Sequence, residues 1–395
     1  MRADPKLSPT PIDPARSLPS SGRPTTALRL SVVVPAYNEA HRLGDGFERF
    51  RSAIHAGAVD VACTEVIVVD DGSNDDTAGQ ARTLLADLPH HRIIRLPFNQ
   101  GKGAAIRAGI RAARGAITAY MDADMAIDPR AIPLLLDRLA TTEAAIGSRS
   151  LPDSMVESRY MIRLLMGRLF NRLVTAGTDL DFLDTQCGFK AFRTEAARLL
   201  FHLVPIDRFA FDVEVLACAH RLGLAIAEVP VQWKHVPGSS VQPLHDSITM
   251  LADVYSSRLG LRRPSPVPAI AVSQPGTTRP GSRSGGGHAT QAHATAADAT
   301  AADATAADEQ RTDRVRTALT VGPAAIPLPL ITGPHETLVL FPLVDPTDVS
   351  DCARSLRAAL PDLMVDRRSL SLHGLLALGP LSGRIHSSVR SAPPG

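Results

Sequence analysis

The sequence predicts an α/β protein built on a mostly parallel central sheet with helices on both faces. Three observations carry this. Short apolar runs of strand length recur at residues 30–34, 66–69, 93–96 and 117–121, and helical patterns fill the intervals between them. The runs are continuous rather than alternating, as expected of strands covered on both faces. Residues that carry chemistry sit just beyond the C-terminal ends of these runs, which is where open α/β sheets bind ligands.

The first run, Leu30-Ser31-Val32-Val33-Val34, leads into Pro35-Ala36-Tyr37-Asn38-Glu39 and then a helical pattern through Phe47, Phe50 and Ile54. Val66 to Val69 repeats the device, ending in Asp70-Asp71-Gly72-Ser73. Ser73 and Asp76 are spaced like a capping box for a helix over 78–88. The third run, Ile93-Ile94-Arg95-Leu96, precedes Asn99-Gln100-Gly101-Lys102-Gly103, which opens a helix that Gly115 is placed to close. The fourth ends in Asp122-Ala123-Asp124. Asp128-Pro129 supplies an N-cap and a helix-starting proline for 131–139, and Ala144-Ala145-Ile146 forms a short strand ending in Gly147-Ser148-Arg149.

Two carboxylates one residue apart at a strand's C-terminal edge can share a divalent cation. Mg²⁺ and Mn²⁺ take oxygen ligands and bridge substrate phosphates, so the pair points to chemistry on a nucleoside diphosphate. A lone Asp-x-Asp is also an ordinary solvated turn; here the surrounding pattern decides. No Gly-x-x-x-x-Gly-Lys-Ser/Thr is present, which excludes a P-loop reading, and no Gly-x-Gly-x-x-Gly follows a strand to hold a dinucleotide.

Val33-Val34-Pro35-Ala36-Tyr37-Asn38-Glu39, Val68-Val69-Asp70-Asp71-Gly72-Ser73, Asn99-Gln100-Gly101-Lys102-Gly103 and Asp122-Ala123-Asp124, in this order, resemble the GT-A fold of glycosyltransferase family 2. Asp184-Thr185-Gln186-Cys187-Gly188-Phe189-Lys190, Phe209-Ala210-Phe211-Asp212-Val213-Glu214 and the run from Ile226 to Trp233, with Gly238-Ser239 beyond, resemble its dolichyl-phosphate glucosyltransferase branch. The resemblance spans roughly residues 29–258. It implies that Pro35, Tyr37, Glu39 and Asp71 surround the nucleotide, that Asp122 and Asp124 hold Mg²⁺ or Mn²⁺ on the diphosphate, and that Lys102, Arg149 and Lys190 serve as nearby cations. The chemistry agrees, because a sugar–nucleotide bond breaks only when the departing diphosphate's charge is stabilised.

A phosphate acceptor needs little help from a base, since its second pKa is about 6. Asp184, Asp212 and Glu214 are the carboxylates placed where other members of the family put a base, and geometry must choose among them. Residues 155–176 combine apolar Met161, Leu164, Leu165, Leu169 and Val174 with Arg159, Arg163, Arg168 and Arg172. Such a basic amphipathic helix suits a lipid interface, and Arg163 is the candidate for the acceptor phosphate. A helix packed on the sheet with a solvated basic face is the ordinary alternative.

No apolar stretch reaches the roughly 20 residues a membrane span needs. Residues 1–28 read as a disordered, proline-rich tail without a signal-peptide core. The expectation is a cytoplasmic protein, peripheral on the inner face of the membrane. Cys63, Cys187, Cys218 and Cys352 lack metal-ligand spacing and read as reduced thiols. A net charge of +2 from 42 basic and 40 acidic residues gives no electrostatic footprint for nucleic acid. Oligomeric state is not legible.

The GT-A domain is expected over 29–262. Residues 263–312, which include Ala-Thr-Ala-Ala-Asp three times within 294–308, read as a low-complexity linker. Residues 313–395 carry one strand-like run, Thr337 to Phe341, and one helical run over 348–360, and suit either a small module or a disordered tail. The function expected is an inverting, metal-dependent transfer of a hexose, glucose from UDP-glucose, onto a polyprenyl phosphate. The alternatives are GDP-mannose-dependent mannosyl transfer and a non-catalytic nucleotide-sugar-binding regulator.

Overall fold

Val32, Val33 and Val34 are completely buried, yet they belong to two different cores. This is the signature of a strand covered on both faces. The computed structural model describes residues 28–157, 180–234, 236, 267–273, 310–315, 329–332, 336–340, 346–370 and 385–387.

The main sheet is formed by β1 (Leu30–Ala36), β2 (Thr64–Asp70), β3 (His91–Arg95), β4 (Ile117–Tyr120), β5 (Ala144–Ser148), β7 (Lys190–Arg193) and β8 (Ile226–Pro230), in the order β3-β2-β1-β4-β7-β5-β8. β6 (Met155–Glu157) and β9 (Gln232–Lys234) pair as a separate parallel ribbon. Helices α1 (Leu43–His55), α2 (Thr77–Leu85) and α4 (Ile132–Arg138) cover one face, where Phe47, Phe50, Leu85 and Ile132 meet Val32, Val34, Val66 and Val68. Helices α3 (Lys102–Ala112), α5 (Thr194–Leu203) and α6 (Phe211–Arg221) cover the other, where Ile106, Ile110, Leu199 and Phe211 meet Val33, Ile67 and Tyr120. Each such aliphatic side chain taken from water contributes roughly 1.5–3 kcal/mol.

Strand β7 runs antiparallel to both β4 and β5, with Tyr120 opposite Lys190. The sheet is therefore mixed but mostly parallel, and the reversal carries Lys190 to the same sheet edge as the Asp122 turn. Two local details differ from the sequence reading. Helix α2 is started not by a Ser73–Asp76 box but by Asp75, whose Oδ1 accepts the Thr77 amide at 3.0 Å. Gly115 does not close α3, which ends at Ala112; a Cβ at Gly115 would lie 2.6 Å from the Leu30 carbonyl carbon, so glycine there permits two backbones to meet. Asp128 does cap its helix, accepting the Arg130 amide at 2.9 Å, through a 3₁₀ turn at Pro129–Ala131 that leads into α4.

A second sheet forms from β10 (Val267–Ser273), β11 (Pro329–Thr332), β12 (Glu336–Leu340), β13 (Met364–Leu370) and β14 (Ile385–Ser387), all antiparallel in the order β13-β10-β12-β11-β14. The stretch that composition marks as linker thus contributes a strand at 267–273. Its period-2 pattern divides the sheet between two cores. Ala269, Ala271, Ile331, Leu338 and Leu340 join the core of α3 and α5, whereas Leu330, Val339 and Val365 pack with Val349, Ala353 and Leu356 of α7 (Pro346–Ala359). This sheet lies against the first one's domain through α5, the helix that continues from β7. Among the described residues no helix is long and apolar enough to cross a membrane.

Candidate active site

The tips of β1 and β2 are laced together. The Asn38 amide donates to Ser73 Oγ at 2.9 Å, the Glu39 amide to Thr77 Oγ1 at 2.9 Å, and the Asn74 amide to Asn38 Oδ1 at 2.9 Å. Asp71 is buried, and its two oxygens accept the Gln100 and Gly101 amides at 2.8 Å each, which ties β2 to the start of α3. Burial pushes the Asp71 carboxyl up while these amides oppose it. Gly101 is required at its φ of +108°, and a Cβ there would stand 2.4 Å from the Asp207 carbonyl oxygen. Pro35 and Tyr37 are half-buried beside this turn.

Past β4 lies the carboxylate pair. Asp122 Oδ1 is 2.6 Å from Lys102 Nζ, and Asp124 Oδ2 is 2.5 Å from an Arg42 Nη that belongs to a residue also bonded to Glu39 at 3.0 Å. Burial lowers the Lys102 ammonium, but Asp122, Asp212 and Asp124 outweigh it and raise its pKa. The Asp124 carboxyl is raised by burial and by the Asp122 charge, and Glu39 is pushed up to about 7, chiefly by burial. One Glu39 oxygen is buried without a hydrogen-bond partner.

Behind this pair stand two more carboxylate–cation pairs. Asp184 is clasped by Arg149, whose Nε and Nη2 reach its two oxygens at 2.7 and 2.9 Å while the Arg149 amide adds a third bond at 3.0 Å. Burial would raise the Asp184 carboxyl, but Arg149 overrides it and holds it below the usual range. Asp212, in the first turn of α6, accepts Lys190 Nζ and Tyr120 Oη at 2.6 Å each on the same oxygen, and Lys190 also donates to the Cys187 carbonyl at 2.7 Å. Lys190 is wholly buried at the start of β7. Glu214 lies one residue beyond Val213 on the same turn and is half-buried. Glycine at 188 is enforced by proximity, since a Cβ there would fall 2.3 Å from Asp122 Oδ2.

The carboxylate pair fits a hard divalent cation. Its donors are oxygens, two anionic groups crowd one position, and two protein cations already lie against them. Among the described residues no set of three acidic, His or Cys side chains is placed to hold a metal, so the rest of a coordination shell falls to ligand oxygens or water. The sequence reading missed Arg42, which the Glu39-x-x-Arg42 spacing hints at, and Glu228, whose carboxylate accepts the Leu183 and Asp184 amides at 3.1–3.2 Å and thereby seats the Asp184 loop. Arg163 and most of the basic amphipathic segment lie outside the described residues.

A mostly parallel sheet with one reversed strand, ending at its fourth strand in a cation-paired Asp-x-Asp, is a GT-A fold, and its class is that of the glycosyltransferases. The chain belongs to glycosyltransferase family 2, whose model, described as Glycosyl transferase family 2, matches residues 31–201. The dolichyl-phosphate beta-glucosyltransferase of Dictyostelium discoideum is 36% identical over 253 residues, spanning 61% of this chain and 77% of the relative. The Drosophila melanogaster enzyme of the same name is 37% identical over 245 residues, 58% of this chain and 74% of that one. The human one is 37% identical over 243 residues, 58% and 75%. More loosely, a crystal structure of glucosyl-3-phosphoglycerate synthase from Mycobacterium tuberculosis, with Mn²⁺, UDP and glucosyl-3-phosphoglycerate, matches at 22% identity and a TM-score of 0.47, over 63% of this chain and 89% of that one.

Proposed function

We propose that the protein transfers glucose from UDP-glucose to a polyprenyl phosphate with inversion at the anomeric carbon, at the cytoplasmic face of a membrane. The observation that carries this is the Asp122–Asp124 pair with Lys102 and Arg42 against it, in a chain whose relatives are named dolichyl-phosphate beta-glucosyltransferase. The nucleoside lies over Pro35, Tyr37, Glu39 and Asp71, and the diphosphate lies at the end of β4. Asp122 and Asp124 hold Mg²⁺ or Mn²⁺, which when bound supplies counter-charge to the departing diphosphate.

Lys102 and Arg149 add positive charge on either side of that position, already oriented and so requiring little reorganisation during reaction. Both Asp184 oxygens are engaged, by Arg149 and the Gln186 amide, and Asp212 Oδ1 is engaged with Lys190 and Tyr120. In this reading they hold cations in place and do not take the acceptor's proton. A base is dispensable, because the acceptor phosphate is already largely ionised near neutral pH. Arg163 meets that phosphate.

The test uses the full chain with polyprenyl phosphate, Mg²⁺ and a panel of radiolabelled sugar nucleotides, scored for label entering the organic phase. Label from UDP-glucose is expected. Label from GDP-mannose instead replaces the sugar assignment, and label confined to water-soluble products overturns the lipid acceptor.

A further inference from the structure

At the end of β4, beside Asp122, the cleft opens into a small, solvent-open pocket. Its lining has two chemistries. Asp122, Arg149 and Gln186 contribute polar atoms; Met125, Ile127 and Trp233 contribute an apolar, partly aromatic surface. Trp233 is anchored on both sides by backbone. The Asp128 amide donates to the Gln232 carbonyl at 3.3 Å, the Lys234 amide to the Ala126 carbonyl at 2.8 Å, and Ile127 bridges Trp233 between them. The half-buried indole also packs against the core of α1 and α4. On β9 it is therefore fixed against the loop that follows Asp124.

A mostly polar pocket with one aromatic side chain in its lining suits a ring that has an apolar C–H face and a polar rim. A pyranose is such a ring. The sheet order says which part of a ligand arrives there. Strands β1, β2 and β3 run out on one side of the point where the order reverses and β4, β7 and β5 on the other, and nucleotides bind at that reversal. With the nucleoside over the tips of β1 and β2 and the diphosphate at β4, the remaining part of the ligand extends toward β7 and β5. Gln186 and Gly188 precede β7, and Arg149 follows β5.

We infer that Trp233 is a specificity-determining residue, its indole stacking on the hexose ring of the sugar nucleotide while Gln186 faces the ring's hydroxyls. This rests on the reading that the chain takes a sugar nucleotide, and it assigns a sugar-contacting role to a residue outside the Asp-x-Asp turn.

The protein carries its own reporter, because Trp233 is the sole tryptophan in 395 residues. Indole emission of the full chain, in Mg²⁺, is followed while UDP-glucose, UDP or a short-chain polyprenyl phosphate is added, with binding measured in parallel by calorimetry. UDP-glucose is expected to change the emission, and UDP to bind while leaving it nearly unaltered. Equal changes with UDP and UDP-glucose, or a change with polyprenyl phosphate alone, overturn the assignment. Binding of UDP-glucose without any change overturns Trp233 but leaves the proposed function standing, whereas no binding of UDP-glucose overturns both. In kinetics, Trp233→Ala is expected to raise KM for UDP-glucose about tenfold with inhibition by UDP unchanged, and Trp233→Phe to restore most of the loss. If Trp233→Ala is as well folded as wild type and KM does not move, the inference fails.

Discussion

Two sets of carboxylate–cation pairs lie near the end of β4, and they differ in how deeply they are buried. At the front, the Asp122 side chain is 45% exposed and its partner Lys102 20%, while Asp124 and Arg42 are 17% each. At the rear, Lys190 is 0% exposed and Asp212 6%, with Tyr120 and the Cys187 carbonyl completing the group. The front pairs keep some solvent access, although Arg42 also bonds Glu39 and Asp124 also accepts the Ala126 amide. The Lys190–Asp212 pair belongs to a network in which removing either partner strands a buried charge, whereas Arg149 of the other rear pair is 33% exposed. The same residue types thus give partly exposed pairs in one place and a buried frame in the other, and solvent access makes the difference.

The comparison breaks first at the front. Asp124→Ala is expected to lower turnover at least about 10³-fold, because a diphosphate leaving without its counter-charge loses several kcal/mol of transition-state stabilisation. Chelation of the wild-type protein should reproduce the loss and Mn²⁺ should reverse it. Steady-state label transfer measures both, and near-normal turnover in chelator removes the metal from the reading.

The rear responds in stability instead. Lys190→Met leaves the Asp212 carboxylate buried with Tyr120 alone, at an expected cost of about 3–5 kcal/mol. Denaturant unfolding measures it. Pairing the change with Asp212→Asn should recover part of the loss, since a neutral amide in place of the carboxylate removes the stranded charge. Asp122→Asn, by contrast, should change stability by less than about 1 kcal/mol, as for partly exposed pairs. If the Asp122 and Lys190 variants lose equal stability, the division into site and frame is wrong.

What sequence could and could not reveal follows the same line. The β1, β2 and β4 tips are legible because each is local: an apolar run, then Tyr37 and Glu39, Asp71, or Asp122 and Asp124 within a few residues. Arg42 is harder, since its partner Asp124 lies 82 positions away and only folding joins them. Glu228 is harder still, because it acts on the backbone amides of Leu183 and Asp184 and leaves no charge partner to look for. The reversal at β7 is a tertiary choice that Lys190-Ala191-Phe192-Arg193 does not encode by itself. Strand β10 hides in a change of composition and carries Pro268, a residue that argues against a central strand. In the fold Pro268 sits where only β13 pairs, opposite Ser369, and the β12 ladder begins at Ala269.

A third kind of carboxylate sharpens the comparison with the smallest effect. Glu195 on α5 is 4% exposed, and one of its oxygens is buried without a hydrogen-bond partner. Burial raises its carboxyl above the usual value, with Arg193 and Arg198 only partly opposing; burial also pushes the Arg198 guanidinium down, to about 10. The sign follows from linkage. Well below the ordinary glutamate value of 4.5 the group is neutral in both folded and unfolded chains and costs nothing. As pH rises through that value the unfolded chain ionises while the folded one resists, so stability falls until pH passes the raised folded value, and then levels. Glu195→Gln removes this dependence. The variant is expected to be more stable than wild type at neutral pH by no more than about 1 kcal/mol, and to lose the advantage near pH 4. Thermal unfolding at the two pH values checks it. A variant less stable than wild type at pH 7 would mean that Arg193 and Arg198 hold Glu195 as firmly as Lys190 holds Asp212, and would move Glu195 into the frame.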